Sequence, residues 1–163
     1  MITGMIYDRT AADVSFAKNV LAKIAAYEEL TESEKEAWLQ GMKGCYNASD
    51  INRVQAAMRT LSQNLVYNGY YDASITLPAK TWVERDVPTQ ADWIEYTSSV
   101  HRIRNSFYVY PDEPELPQVG ASLTWAGANA IEKNIEDISI ILDALIAAYR
   151  KSGTFAAGEE YDL

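Results

Sequence analysis

The stretch TWAGANAIEKNIEDISIILDALIAAY, residues 124–149, is the longest uninterrupted helical pattern in the chain. Its apolar residues recur at alternating spacings of three and four, which is typical of a helix with one buried face. These residues are Ala128, Ile131, Ile135, Ile138, Leu142, Leu145 and Tyr149. Thr124 can cap the start of the helix, and Ser152-Gly153 can end it. The pattern predicts a long helix against which the other elements pack.

The two halves of this predicted helix carry different surfaces. In the first half, four charged side chains fall outside the apolar stripe and are expected to face solvent: Glu132, Lys133, Glu136 and Asp137. In the second half, Ile140, Ile141 and Ile146 widen the apolar surface beyond one stripe. Such a surface needs neighbours on more than one side. They are either other helices of the same chain, with this helix at the centre of a bundle, or another copy of the protein or a partner.

Four earlier helices are predicted from their start signals and apolar spacing. Their capping residues are Thr10, Thr31, Ser49 and Thr89. The first three helices are expected to end near Tyr27, Gly41 and Asn68-Gly69. The expected inward side chains of the first two are Val14, Ala17, Val20, Leu21 and Ile24, then Ala37, Trp38 and Met42. Those of the next two are Ile51, Val54, Met58, Leu61 and Leu65, then Trp93, Tyr96, Val100, Ile103 and Phe107.

Two segments between the helices lack helical spacing. Residues 70–87 alternate apolar and polar side chains before Pro78, so we expect a short strand or an extended crossover that covers one end of the bundle with Trp82. The sequence PDEPELP, residues 111–117, predicts an extended acidic spacer, because its prolines exclude a helix. The expected fold is mainly α, a bundle of about five helices in one domain spanning residues 1–153. A flexible acidic tail, residues 154–163, is expected to follow it.

Composition argues against several classes of function, although His101, Arg102 and Arg104 leave room for a local basic face. The chain of 163 residues has a formal net charge of -9, which disfavours nucleic acid as a partner because phosphate binding needs clustered Lys and Arg. Cys45 is the single cysteine, so neither an intrachain disulfide nor a cysteine-based metal site can form. No apolar run approaches the roughly 18 residues of a membrane span. We expect a soluble chain that folds in a cytoplasm.

The residues permit one nucleophilic dyad, Cys45 with His101. The alternative interpretation is a half-buried cysteine and a solvated helix histidine, and the pattern favours it. The acidic clusters lack the spacing of a zinc or iron site that includes histidine, and no glycine-rich loop suggests a phosphate site. We therefore expect no enzymatic activity, metal or cofactor.

Aromatic residues cluster around the crossover, and Tyr70, Tyr71 and Trp82 are the candidates for a recognition surface. Exposed, coplanar rings at these positions would favour the binding of a sugar. The alternative is that the rings fasten helix ends to the crossover.

The chain resembles small structural proteins of prophage tail modules from Gram-positive gut bacteria. The similar segments are GMIYDRTAADVSFAK (4–18), KGCYNASDINRVQAAM (43–58), DVPTQADWIEYTSSVHRIR (86–104), LTWAGANAIEKNIEDI (123–138) and SGTFAAGE (152–159). The segment AKTWVERDVPT also matches the Trp-containing stretch that precedes the DVPT-like cap in these proteins. The resemblance implies a virion component near the tail tip, baseplate or fibres, with other tail proteins as partners. It implies no catalytic residues.

Three hypotheses follow. The first is a non-enzymatic phage tail or baseplate protein, made in the bacterial cytoplasm, that forms a homo-oligomer or binds a neighbouring tail protein. The second is a module that recognises carbohydrate or protein on the host surface through its aromatic residues. The third, a hydrolase using Cys45 and His101, is the weakest. The predicted contact residues are Ile140, Ile141, Ile146, Tyr70, Tyr71 and Trp82.

Overall fold

The computed structural model describes residues 2–151, with side chains through Tyr149. It contains α1 (Ala11–Ala25), α2 (Glu32–Gln40), α3 (Ala48–Tyr67), a short 3-10 helix (Tyr71–Ala73), α4 (Gln90–Ser106) and α5 (Trp125–Lys151). The prediction of a mainly α fold with five helices is confirmed, and no strand forms within residues 2–151. The predicted end of α5 at Ser152-Gly153 and the predicted tail, residues 154–163, lie outside the described residues. None of the helices described is both long and apolar enough to cross a lipid bilayer.

Polar caps begin the helices largely where the sequence predicts. Thr10, Thr31 and Thr89 each form a capping box with the acidic residue three positions later, and the Thr124 hydroxyl accepts a hydrogen bond from the Gly127 N–H at 3.0 Å. The predicted cap of α3 at Ser49 is wrong. The helix begins after Asn47, whose N–H donates to the Asp50 carboxylate at 2.8 Å. Asp50 lies three residues after Asn47, so its carboxylate can reach back to the backbone N–H of this N-cap residue.

The main core lies between α3, α4 and α5. All five predicted inward residues of α3 are buried, as are Tyr96, Val100 and Ile103 of α4. From α5 the core receives Ile131, Ile135, Ile138 and Leu142. The crossover closes one side of this core with Trp82, which is 4% exposed. The Asn52 side chain fixes Trp82 by bonding both its backbone N–H and its carbonyl oxygen, each at 2.8 Å.

Helices α1 and α2 form a hairpin with a second, smaller core. Its buried residues are Ala17, Val20 and Met42, with Leu30, Ala37 and Cys45 partly buried against them. The prediction that Leu21, Ile24 and Trp38 face inward is wrong, since they are 42%, 36% and 46% exposed. The hairpin is buried chiefly by its own residues and the loop after α2. Its two short helices therefore cannot cover all of their apolar positions.

The burial pattern along α5 is the opposite of the one that its sequence predicts. Its first half is surrounded, so the charged side chains predicted to face solvent include two buried ones, Glu132 at 0% and Asp137 at 4% exposure. The solvent-facing prediction is wrong for these two because the N-terminal segment and the acidic spacer cover their side of the helix. The second half is more open, and its last buried residue is Leu142. With 27 residues, α5 is about 40 Å long, whereas α3 and α4 are about 30 Å and 25 Å.

Candidate functional site

The last turns of α5 expose an apolar surface. Ile140 and Ile141 are half-buried, while Ala144, Leu145 and Ala148 are exposed. These five residues share one side of the helix and form what we call the α5 outer face. Over residues 140–149 only Asp143 is charged. A solvent-exposed helical face would ordinarily carry several charges, so this composition is typical of a contact surface.

The predicted contact residues of α5 do not all belong to this face. Ile140 and Ile141 lie on it, as the width of the apolar pattern indicated. Ile146 instead packs against the main core, on the same side of the helix as Leu142. The prediction that Leu145 and Tyr149 belong to the buried stripe is wrong, since they are 42% and 82% exposed. The sequence interpretation did not include Ala144 and Ala148, because alanine is common in any helix. Their exposure in the structure identifies them.

The N-terminal segment, residues 2–10, fastens the first half of α5. The Ile2 N–H donates to the Ser139 hydroxyl at 2.8 Å, and the Ile6 N–H donates to the Glu132 carboxylate at 2.6 Å. Asn129 forms two bonds to the backbone of Arg9, at 3.1 and 2.8 Å. These contacts are polar and run the length of the segment, so they fix its register on α5.

A cluster of four charged side chains, Arg9, Asp50, Arg53 and Glu132, lies beneath this segment. The Arg9 guanidinium is 2.8 Å from Glu132 and 3.1 Å from Asp50. The Arg53 guanidinium is 2.7 Å from Asp50 and 2.9 Å from Glu132. Two positive and two negative groups alternate, so every carboxylate contacts both guanidinium groups. Arg9, Asp50 and Glu132 are nearly inaccessible to solvent, with 3%, 4% and 0% exposure.

The charge cluster joins the N-terminal segment to α3 and α5, two helices of the main core. Arg9 comes from the N-terminal segment, Asp50 and Arg53 from the start of α3, and Glu132 from α5. Buried charges are stable only where they are paired and hydrogen-bonded. The network therefore specifies how the N-terminal segment sits on α3 and α5. Sequence reasoning missed Arg9, Asp50 and Arg53. Arg9 lies 41 positions from Asp50, and Arg53 lies 79 positions from Glu132, so these pairs leave no local pattern.

A second polar contact holds the acidic spacer to α5. The Asn134 side chain donates to the Pro114 carbonyl at 3.0 Å and accepts from the Arg104 guanidinium at 2.9 Å. Beside it, Glu113 of the spacer lies against Asp137, which is paired with Lys133. Burial, together with the charge of Asp137, raises the pKa of Glu113 to about 7. Glu113 is therefore protonated when the spacer is docked in mildly acidic solution.

The raised pKa of Glu113 predicts a pH dependence of stability. A carboxyl whose pKa is higher in the folded state stabilises the fold below its unfolded value of 4.5, and this contribution is lost as pH rises through about 7. We expect the melting temperature of the wild type to fall between pH 5 and pH 8 relative to that of Glu113→Gln. The matched control is Glu115→Gln, an exposed acid of the same spacer, which should retain the wild-type pH dependence. Parallel pH profiles for the wild type and Glu113→Gln would contradict this assignment.

Cys45 and His101 occupy different surroundings. Burial and the charge of Asp50 raise the pKa of the Cys45 thiol, which disfavours the reactive thiolate. A ring nitrogen of His101 lies 2.8 Å from the Pro117 carbonyl oxygen, so His101 helps to hold the spacer. No group of three or more potential metal ligands was found within the described residues.

The predicted aromatic surface is divided by the fold. Trp82 is buried, with the Lys80 ammonium 3.8 Å from its ring centroid. Tyr70 packs edge-on against Phe107 at 4.7 Å, whereas Tyr71 is 76% exposed. Trp82 is therefore not part of an exposed face, because Asn52 draws its backbone onto α3.

Comparison with known proteins gives no match to a family model, to a curated protein or to a solved structure.

Proposed function

We propose that this chain is a non-enzymatic structural protein of a phage tail or baseplate that assembles through the α5 outer face. The single observation that carries the assembly proposal is the exposure of the α5 outer face, whose five residues between 140 and 148 carry no charge. The tail location rests on the resemblance of the sequence segments to prophage tail proteins. Detection of the chain, in several copies per particle, in purified phage tails would test that location.

A second copy of the chain is the proposed occupant of the α5 outer face. Ala144 and Ala148 are small, so a second helix can approach the backbone closely between Ile140 and Leu145. When a face packs about a twofold axis against the same face of a second copy, it has to be complementary only to itself. With the net charge of -9, an uncharged face is also where two copies can meet with the least repulsion.

Charges on the α5 outer face should abolish assembly. The variant Ala144→Lys/Ala148→Lys adds two exposed cations without removing a buried side chain, so we expect a folded monomer by analytical ultracentrifugation. The matched control, Ala22→Lys/Ala25→Lys, makes the same change at exposed positions of α1 and should sediment as the wild type does. If the α5 variant retains the wild-type mass while the circular dichroism spectrum is unchanged, the assembly proposal is wrong.

A further inference from the structure

We propose that the groove between the α1–α2 hairpin and the N-terminal end of α4 binds a neutral oligosaccharide. This groove has a volume of about 860 Å³ and is lined by the end of α2, the α2–α3 loop, the crossover and the start of α4. Its volume lies within the range of about 300–1,000 Å³ that is common for small-molecule sites. The groove exists because the hairpin is buried in its own small core and leaves space beside the main bundle.

The aromatic side chains of the groove come from separate elements. Trp38 lies on α2 and is 46% exposed, Trp82 belongs to the crossover, and Trp93 begins the inward face of α4. One face of the Trp93 ring is covered by Tyr96, at a centroid distance of 5.0 Å and an angle of 15°. The Trp93 indole N–H donates to the Ala121 carbonyl at 2.6 Å, which fixes the ring. Trp38 is the exposed ring, and its flat apolar face is complementary to the C–H face of a sugar ring, whereas Trp82 is buried and only closes the wall of the groove.

The charges of the groove disfavour ionic ligands. Among the described residues that line it, none is Lys, Arg or His, and the neighbouring Lys80 is already paired with Asp86, which disfavours an anionic ligand. Of the two lining carboxylates, Asp86 accepts from the Val83 N–H at 3.0 Å and lies 3.6 Å from Lys80. Glu84 is the other, and it is exposed. A cationic ligand would meet one solvated carboxylate, whose attraction is weak.

The polar groups of the groove suit hydroxyl ligands. Gln40, Asn47, Ser49 and Gln90 line it alongside the aromatic rings, and their side chains are neutral. The amide nitrogens of Gln40, Asn47 and Gln90 donate within the protein, so these amides are held in place at the wall of the groove. Aromatic faces with neutral hydrogen-bonding groups and little net charge together define a site for an uncharged polyol.

Isothermal titration calorimetry tests this proposal. Cellotriose, maltotriose and chitotriose are each titrated into the protein, up to about 10 mM. We expect saturable binding of at least one of these sugars. Trp38→Ala should weaken that binding by about tenfold or more, because it removes the most exposed ring of the groove. The matched control is Trp125→Ala, which removes an indole with 42% exposure that does not line the groove, and it should bind as the wild type does.

Several outcomes would overturn the groove assignment. They are no saturable binding of any of the three sugars, equal effects of Trp38→Ala and Trp125→Ala, or tighter binding of trigalacturonate or trilysine than of the neutral sugars. Trp38 is not buried, so circular dichroism should show that both variants fold. The groove and the α5 outer face share no residue. Sugar binding and self-assembly can therefore each fail without the other.

Discussion

Replacing Glu132 with alanine is expected to lower the free energy of unfolding by about 3–5 kcal/mol. The substitution leaves the guanidinium groups of Arg9 and Arg53 sharing a single carboxylate, that of Asp50, and both Arg9 and Asp50 are nearly inaccessible to solvent. It also removes the acceptor of the Ile6 N–H. Removal of one partner from a buried ion network costs far more than the loss of an exposed pair, because the remaining charge is left without compensation.

Urea denaturation followed by circular dichroism measures this effect. The matched control is Glu136→Ala, one turn further along α5, where the side chain is only partly buried. The control should cost no more than about 1 kcal/mol. If Glu132→Ala is as stable as Glu136→Ala, the charge cluster does not hold the N-terminal segment. Glu132→Met would then show whether the network can be replaced by packing alone.

Replacing Gly44 with alanine is expected to release the loop after α2 from α1, at a cost of about 3 kcal/mol. A Cβ atom at this position would lie 2.0 Å from the Asp13 carbonyl oxygen and 2.7 Å from the Val14 nitrogen. Both are backbone atoms of the first turn of α1, so no side-chain rotation can relieve the contact. The loop must move, and the small core around Met42 would open with it.

Hydrogen exchange localises the effect of Gly44→Ala. Amides of α1 should lose protection while those of α3 and α4 keep it, since the main core does not include the hairpin. Gly127→Ala is the matched control, because the nearest atoms to its Cβ are at 3.3–3.4 Å. This control should change stability by no more than about 1 kcal/mol. Uniform loss of protection across all helices would contradict the division into two cores.

The sequence predicts the helices well because their signals are local. Capping boxes at Thr10, Thr31 and Thr89 and the apolar spacing of α3 depend on residues within one or two turns of each other. The end of α3 is similar: Gly69 has a φ of +95°, and the Tyr70 N–H bonds the Leu65 carbonyl at 3.0 Å, as in a Schellman cap. These interactions form wherever the same residues occur, so a single sequence suffices to predict them.

The polar interior could not be predicted, because it depends on which distant segments meet. Glu132 falls outside the apolar stripe of α5, and by spacing alone it resembles the solvent-facing Glu136. It is buried because Arg9 and Arg53 reach it from elsewhere in the chain. The groove is similar, since Trp38 and Trp93 both line it although they are 55 positions apart in sequence. The apolar width at Ile140 and Ile141 predicts part of the open end of α5, where both side chains are half-buried.

The solution mass of the unmodified protein, measured by light scattering over a roughly hundredfold range of concentration, tests the central claim most directly. Self-assembly through the α5 outer face predicts a mass that rises from the monomer value of 18.2 kDa to twice that value or more. It also predicts that Ala144→Lys/Ala148→Lys stays at 18.2 kDa throughout. A monomer mass for the unmodified protein at every concentration would contradict the claim.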